Sequence, residues 1–152
     1  INVGREALLP AAVKLLSEVK EDRKRMEAMA AKLNRIMADS LLDKAPQVDG
    51  AKAVVYLAAE DEDPQALSLA LTSRPGVIAV LGLANKSPKL FVSRSHDVNL
   101  DCRPVLKEIM KLVGGGGGGK PDFAQGGGGD PEKLPAAMDR ALDIIRAAMA
   151  KK

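Results

Sequence analysis

The sequence predicts an α/β protein of the α+β type, in which a long helical extension precedes a small mixed β-sheet domain with flanking helices and a glycine-rich loop. Three observations support this prediction. Residues 11–42 contain neither glycine nor proline. Two apolar runs, AVVYLAA at 53–59 and VIAVLGLA at 77–84, enclose a helical segment. Two glycine runs lie within residues 114–129. We therefore assign residues 1–45 to a helical, oligomerising extension and residues 46–152 to a globular domain.

Composition limits the class of protein. With 152 residues, 46% of them hydrophobic, the chain can form one core plus an appendage, and its net charge of +3 weakly favours an anionic partner. A single Cys and a single His exclude an intrachain disulfide and a zinc site of the usual kind. We expect Cys102 to be a small core residue. Without a signal peptide or a long apolar run, we expect a soluble cytoplasmic protein with no membrane partner. Because the chain opens on Ile1, we expect a piece of a longer protein.

The first long segment predicts a helix from Ala11 to about Leu42, with Pro10 in its first turn. Apolar residues recur in steps of four and three, the spacing of a coiled-coil seam, and only Asp22 interrupts it. The seam consists of Leu15, Val19, Met26, Met29, Leu33 and Ile36. Such a helix either packs on its own domain or pairs with a helix of another chain or of an upstream segment. Pairing with the same helix of a second copy would give a homodimer.

The middle of the chain predicts a strand–helix–strand unit followed by a third strand. Asp61 or Asp63 can cap the helix, since Pro64 suits its first turn. The two apolar runs then form neighbouring strands, and KLFVSRS at 89–95 pairs antiparallel as a hairpin, which makes the sheet mixed. We expect the buried faces to use Val54, Val55, Leu57, Ile78, Val80, Leu81, Phe91 and Val92.

His96 and Asp97 follow the third strand, where they could form a catalytic pair or an ordinary polar turn. No serine or cysteine nucleophile in a strand-to-helix elbow accompanies them. A phosphoesterase with two metals would need more Asp and His residues around His96 than the chain supplies. The sequence therefore favours a chain without catalysis of its own.

A cationic helix leads into the glycines. Asp101 caps a helix over Cys102–Val113, on which Arg103, Lys107 and Lys111 recur at every fourth position of the exposed side. Three stacked cations can contact phosphates, or they can be an ordinary solvated face. A last helix begins at Asp130-Pro131 and covers the sheet.

The glycine-rich segment, GGGGGGKPDFAQGGGG, is a candidate main-chain contact surface for phosphates, since glycine reaches positive φ and lets N–H groups approach a ligand. A nucleotide P-loop is excluded, because Pro121 replaces the required Ser or Thr and a helix enters where a strand is needed. A flexible linker is disfavoured by Phe123 and Ala124, which predict a short buried strand. The candidate contact residues are Gly114, Gly115, Gly116, Gly117, Gly118, Gly119, Lys120 and Gln125, with Arg103, Lys107 and Lys111.

This segment, followed by DPEKL, closely resembles the glycine-rich motif near the C-terminus of alanyl-tRNA synthetases, in a domain related to the C-terminal domain of DHH phosphoesterases. The resemblance covers roughly Ala51 to Lys152. In the motif, Lys120 stands where the family often has Arg, and Gln125 and the first glycine run match by position.

The resemblance implies a non-catalytic module that binds the elbow of tRNA(Ala), helps to join aminoacylation to editing, and dimerises. The partners it implies are tRNA(Ala), a second copy, and the catalytic and editing domains of the same parent chain. It implies an ATP-dependent class II ligase as the parent, with Mg²⁺ and with zinc in the editing domain, and no cofactor in this fragment. The alternative function is chiefly a homodimerisation scaffold.

Overall fold

The computed structural model describes the backbone of residues 5–150 and the side chains of residues 9–150. Its α+β class, its mixed sheet and its long N-terminal helix agree with the sequence. The helices are α1 (Arg5–Lys44), α2 (Pro64–Thr72), α3 (Cys102–Val113) and α4 (Leu134–Ala150), with a 3₁₀ turn at Pro131–Lys133. The strands are β1 (Gln47–Val48), β2 (Ala51–Ala58), β3 (Val77–Leu83), β4 (Lys89–Arg94), β5 (Gly116–Gly119) and β6 (Phe123–Gly127).

The strands form one six-stranded sheet in the order β1-β2-β3-β4-β6-β5. Only β2 and β3 pair in parallel, across the helix α2, and the other neighbours are antiparallel. Asp63 accepts hydrogen bonds from the N–H groups of Gln65 and Ala66, so it is the cap of α2. The predicted strand–helix–strand unit and the hairpin that follows it are both confirmed.

Residue contacts divide the chain into a unit that ends at Asn34 and a unit that begins at Arg35. In the first unit, α1 begins at Arg5, so Pro10 lies inside the helix and its predicted place in the first turn is wrong. Arg, Glu, Ala and Leu are strong helix formers, which explains why the helix begins before the proline. The predicted coiled coil is not formed within the described part of this chain, where the six seam side chains are 56–72% exposed.

The second unit has a core on each face of the sheet. On one face, α3 and α4 pack against the strands, for example Leu106 and Ile145 against Val80 and Val92. On the other face, α2 and the last turns of α1 cover Leu81 and Phe91.

The burial predicted for Leu57 is wrong, because this side chain is 37% exposed. Leu57 lies beyond the short stretch of β2 that β1 covers, since β1 pairs only with Ala51 and Lys52. The β1–β2 hairpin was not predicted from the sequence. Its turn uses Asp49 and Gly50 at positive φ, the geometry of a two-residue hairpin turn, but the strand before it has only two residues.

The loop predicted over residues 114–129 is wrong for most of its length. Gly116–Gly119 form an exposed strand that pairs antiparallel with β6, and the chain turns between them at Lys120–Asp122. Positive φ within this segment occurs only at Gly114, Gly128 and Gly129. The glycines are extended because β6, whose Ala124 is buried, offers them a paired neighbour. The short strand predicted at Phe123 and Ala124 is confirmed.

Candidate nucleic-acid interface

The β5–β6 hairpin is attached to α3 near both ends. At the turn, the Cys102 N–H donates to the carbonyl of Pro121 at 2.8 Å. At the opposite end, the N–H groups of Gly114 and Gly115 both donate to the carbonyl of Met110, at 2.8 and 3.1 Å. Asp101 caps α3 by accepting from the Arg103 N–H at 3.0 Å. A capped helix therefore fixes the position of the glycine strand.

The glycines of β5 fall into two alternating classes. A Cβ on Gly117 would lie 2.3 Å from the carbonyl oxygen of Gln125, and one on Gly119 would lie 2.4 Å from that of Phe123. Gly115 is equally confined, with backbone oxygens at 2.5 and 2.6 Å. A Cβ on Gly116 or Gly118 would meet nothing within 4 Å. The odd-numbered glycines are thus required by the pairing with β6, whereas the even-numbered ones are not required by the fold.

The contacts within the chain do not explain why residues 116 and 118 are glycines. Glycine inside a strand costs about 0.5–1 kcal/mol relative to alanine, and the two residues are exposed and extended. Glycine in a strand commonly marks a place where a ligand or another backbone approaches closely. These two positions therefore form the open side of the candidate contact surface.

The predicted cations differ in their partners. Arg103 forms a bidentate ion pair with Asp101, in which Nη2 lies 2.7 Å from a carboxylate oxygen. Lys111 lies 3.2 Å from Glu108. Lys107 and Lys120 are exposed and form no ion pair with the described residues. The two unpaired lysines can bind an anion without first losing a carboxylate partner.

Helical spacing shows which cations of α3 lie beside the hairpin. Met110 packs against the hairpin, with its Cγ 3.1 Å from the position that a Cβ of Gly126 would occupy. Arg103 and Lys107 precede Met110 by seven and three residues and so share its side of the helix. Lys111 lies one residue further round, about 100° away. Arg103 and Lys107 are therefore brought towards the glycines, while Lys111 faces more into solvent.

Two further side chains belong to this surface. Gln125 is exposed and lies opposite Gly118, one of the two open positions. Lys89, which sequence reasoning missed, is exposed and lies opposite Gly127, which itself lies opposite Gly116. Finding Lys89 from the sequence would have required the register of β6 with β4 and with β5.

Three ionisable groups next to the hairpin have shifted pKa values. The hydrogen bond from Arg103 holds the pKa of Asp101 below its ordinary value, and the same bond raises the pKa of the Arg103 guanidinium. Burial raises the pKa of the Cys102 thiol to about 12. Cys102 is fully buried, which confirms its prediction as a core residue. It anchors the helix rather than reacting.

The pair at His96 and Asp97 forms a turn. The Asp97 carboxylate accepts from the Gly76 N–H at 3.0 Å, and the His96 carbonyl accepts from Arg94. Within residues 9–150, no three His, Cys, Asp or Glu side chains come together in the arrangement that a metal ion needs. None of the helices over the same range has the length and hydropathy of a membrane span.

Comparison with known proteins agrees with this architecture. The model of the DHHA1 domain matches residues 15–147. The alanine–tRNA ligase of Alkaliphilus metalliredigens is 32% identical over 148 residues, which cover 93% of this chain and 17% of that protein. The enzyme of Chloroflexus aurantiacus is 35% identical over 155 residues, covering 95% of this chain and 17% of that protein.

A solved structure is also similar. The C-Ala domain of alanyl-tRNA synthetase from Aquifex aeolicus matches with a TM-score of 0.59 and 25% identity, covering 68% of this chain and 98% of that domain. The chain spans 17% of the length of the two ligases described above.

Proposed function

We propose a function from the premise that this chain belongs to the DHHA1 domain family. In this proposal it is the C-terminal, non-catalytic module of an alanine–tRNA ligase and binds the elbow of tRNA(Ala). The observation that carries the proposal is the strand β5, whose Gly116 and Gly118 leave open space that the fold itself does not need. Structured RNA is large and anionic, and it can lie close to a strand without side chains.

Charge supports the same partner. Lys120 at the hairpin turn and Lys107 on the adjoining side of α3 are two cations near β5 that form no ion pair with the described residues. Each can neutralise one phosphate and release its condensed counterions. Contacts to phosphates fix the position of a protein on RNA but do not read its sequence. The proposed recognition is therefore mainly one of shape.

The aromatic residues favour folded RNA over single strands. Tyr56 donates its hydroxyl hydrogen bond to Glu62 at 2.8 Å. Phe91 is buried and packs on Phe123, with ring centroids 6.3 Å apart. Proteins that bind single strands stack bases on exposed aromatic rings, and these three rings are engaged within the protein.

The remaining roles concern the parent chain. Binding at the elbow would help to join aminoacylation to editing, with the catalytic and editing domains as intramolecular partners in the cytoplasm. ATP, Mg²⁺ and zinc would be bound by those other domains. We assign no catalytic step to residues of this fragment.

Dimerisation is a second candidate function. The seam of α1 exposes six apolar side chains, among them Met26 at 72% and Met29 at 66%. Water-exposed apolar residues in heptad spacing are stabilised when a second helix covers them. A scaffold role and RNA binding use different surfaces, so both can operate in one protein.

The test is a titration of the chain with tRNA(Ala) and with an unrelated tRNA at several salt concentrations. The double variant Lys107→Ala, Lys120→Ala should bind tRNA(Ala) more weakly. Its slope of log affinity against log salt concentration should be less negative by about two. The control is Arg146→Ala, which removes a cation from α4 that is already paired with Asp143. Equal effects of the control and the double variant would contradict the proposal, as would unchanged binding of the double variant.

A further inference from the structure

We propose that the free edge of β5 binds the ribose–phosphate backbone of RNA through the main-chain N–H and C=O groups of Gly117 and Gly119. This inference rests on the proposed function, and it adds the atoms that make the contact and the part of the nucleotide that they contact. It also predicts discrimination between RNA and DNA.

The hydrogen bonds of the hairpin determine which groups point outwards. Lys120 and Phe123 exchange two backbone bonds, N–H to O at 2.8 and 3.2 Å. In an antiparallel pair, bonded and non-bonded residue pairs alternate. Gly118 opposite Gln125 and Gly116 opposite Gly127 are therefore bonded to β6, and Gly119 and Gly117 direct their N–H and C=O groups away from it.

The hydrogen bonds between β6 and the chain of β4, on the opposite side of β6, follow the same alternation. The N–H of Arg94 donates to the carbonyl of Asp122 at 3.1 Å, and the N–H of Gly128 donates to that of Pro88 at 3.0 Å. Residues 122 and 128 thus face β4, and the residues of β6 that face β5 are the odd-numbered ones. This leaves the outward groups of Gly117 and Gly119 without a bond to β6.

The edge is open to a ligand. β5 is the last strand of the sheet among the described residues, and all four of its residues are exposed. Protein edges are usually blunted by lysines, prolines or bulges within the strand. Here the strand consists only of glycines, and no side chain on Gly116 or Gly118 shields the edge.

The outward groups suit ribose and phosphate together. Each outward residue presents a donor N–H beside an acceptor C=O, about 7 Å from the next such residue. A phosphate oxygen can accept from the N–H but would be repelled by the C=O. The ribose 2′-hydroxyl both donates and accepts, and it distinguishes RNA from DNA. RNA therefore supplies a partner for both groups.

Charge favours RNA over the other occupant that an open strand edge accepts, a strand of a second protein. Lys120 begins the hairpin turn beside Gly119, and Lys107 lies on the hairpin side of α3. A polypeptide strand needs no cations along its path, whereas each phosphate carries a negative charge that they neutralise.

The experiment measures exchange of the glycine amide protons with water by NMR, on the full chain labelled with ¹⁵N-glycine, with and without tRNA(Ala). In the free protein we expect fast exchange at Gly117 and Gly119 and slow exchange at Gly116 and Gly118, which serve as internal controls. With saturating tRNA we expect exchange at Gly117 and Gly119 to slow at least about tenfold. In parallel, pools of tRNA(Ala) carrying scattered 2′-deoxy nucleotides should show positions at which the substitution weakens binding about threefold or more.

The outcomes separate this inference from the proposed function. If tRNA(Ala) binds while Gly117 and Gly119 exchange as in the free protein, or while no 2′-deoxy position interferes, the inference is overturned and the proposed function stands. If tRNA(Ala) does not bind, both fail. If these amides become protected without RNA as protein concentration rises, a strand of a second copy occupies the edge, and the inference is also overturned.

Discussion

A single methyl group at two neighbouring glycines separates folding from binding. Gly117→Ala places a Cβ 2.3 Å from the Gln125 carbonyl oxygen and 2.4 Å from the Gly126 Cα, so the strands must move apart by about 1 Å to reach ordinary contact. Gly118→Ala places its Cβ in open space on an extended backbone. The two variants have the same composition and differ only in the direction of the methyl group.

The two substitutions are expected to change the stability of the protein in opposite directions. Overpacking costs about 1–3 kcal/mol, and alanine gains about 0.4–1 kcal/mol through the unfolded state. Gly117→Ala should therefore lose about 1–2 kcal/mol and lower Tm by about 2–8 °C, whereas Gly118→Ala should raise Tm by about 1–3 °C. The methyl of Gly118→Ala should nevertheless weaken tRNA(Ala) binding about tenfold or more, because it holds the RNA away from the strand.

Thermal unfolding followed by circular dichroism measures the first difference, and titration with tRNA(Ala) measures the second. Gly76→Ala cannot serve as the control in place of Gly118→Ala. Gly76 has a positive φ of 68°, so an alanine there would strain the backbone whatever the space around it. If Gly118→Ala were destabilised as much as Gly117→Ala, the alternation would be wrong. If it were stable and bound tRNA(Ala) at full affinity, the open position would have no role in binding.

Four other predictions concern α1 and α3. Leu33→Asp should weaken self-association of the chain at least about tenfold in sedimentation, whereas Ala31→Asp, on the opposite side of the predicted heptad, should not. Asp101→Asn keeps the helix cap but removes the ion pair with Arg103, so we expect slightly lower stability and tighter tRNA(Ala) binding in titrations, and weaker binding would contradict the role of Arg103. Because burial raises the pKa of Cys102 to about 12, the native thiol should resist alkylation at pH 8 and react in urea. The unfolded chain loses this proton above about pH 9 while the native chain keeps it, so denaturant titrations should show stability falling as pH rises from 9 to 12, and a flat profile would refute the shift.

Much of the fold could be predicted because its signals are local. Asp63 before Pro64, Asp101 before α3 and the two continuous apolar runs each combine a cap or a period with the element that they begin. The exposure of Leu57 near the end of β2 could not be predicted in this way. Leu57 belongs to an apolar run, yet it lies beyond the residues of β2 that pair with β1, a strand of two residues with no periodicity of its own.

The candidate site could be located from the sequence but not resolved. A run of six identical residues contains no alternation, so nothing in the letters distinguishes Gly117 from Gly118. Only the register with β6 assigns one to the pairing and the other to open space. The ion pair of Arg103 with Asp101 likewise depends on side-chain placement, although the two residues are close in sequence.

The attachment of the hairpin to α3 has a thermodynamic consequence. Loose glycines would have to be immobilised when a partner arrives, at about 1–2 kcal/mol for each residue. Here the bonds from Cys102 to Pro121 and from Gly114 and Gly115 to Met110 immobilise the strand while the domain folds. Complex formation then starts from a preorganised main chain, so calorimetry should find little of the unfavourable entropy and heat-capacity change that accompany coupled folding.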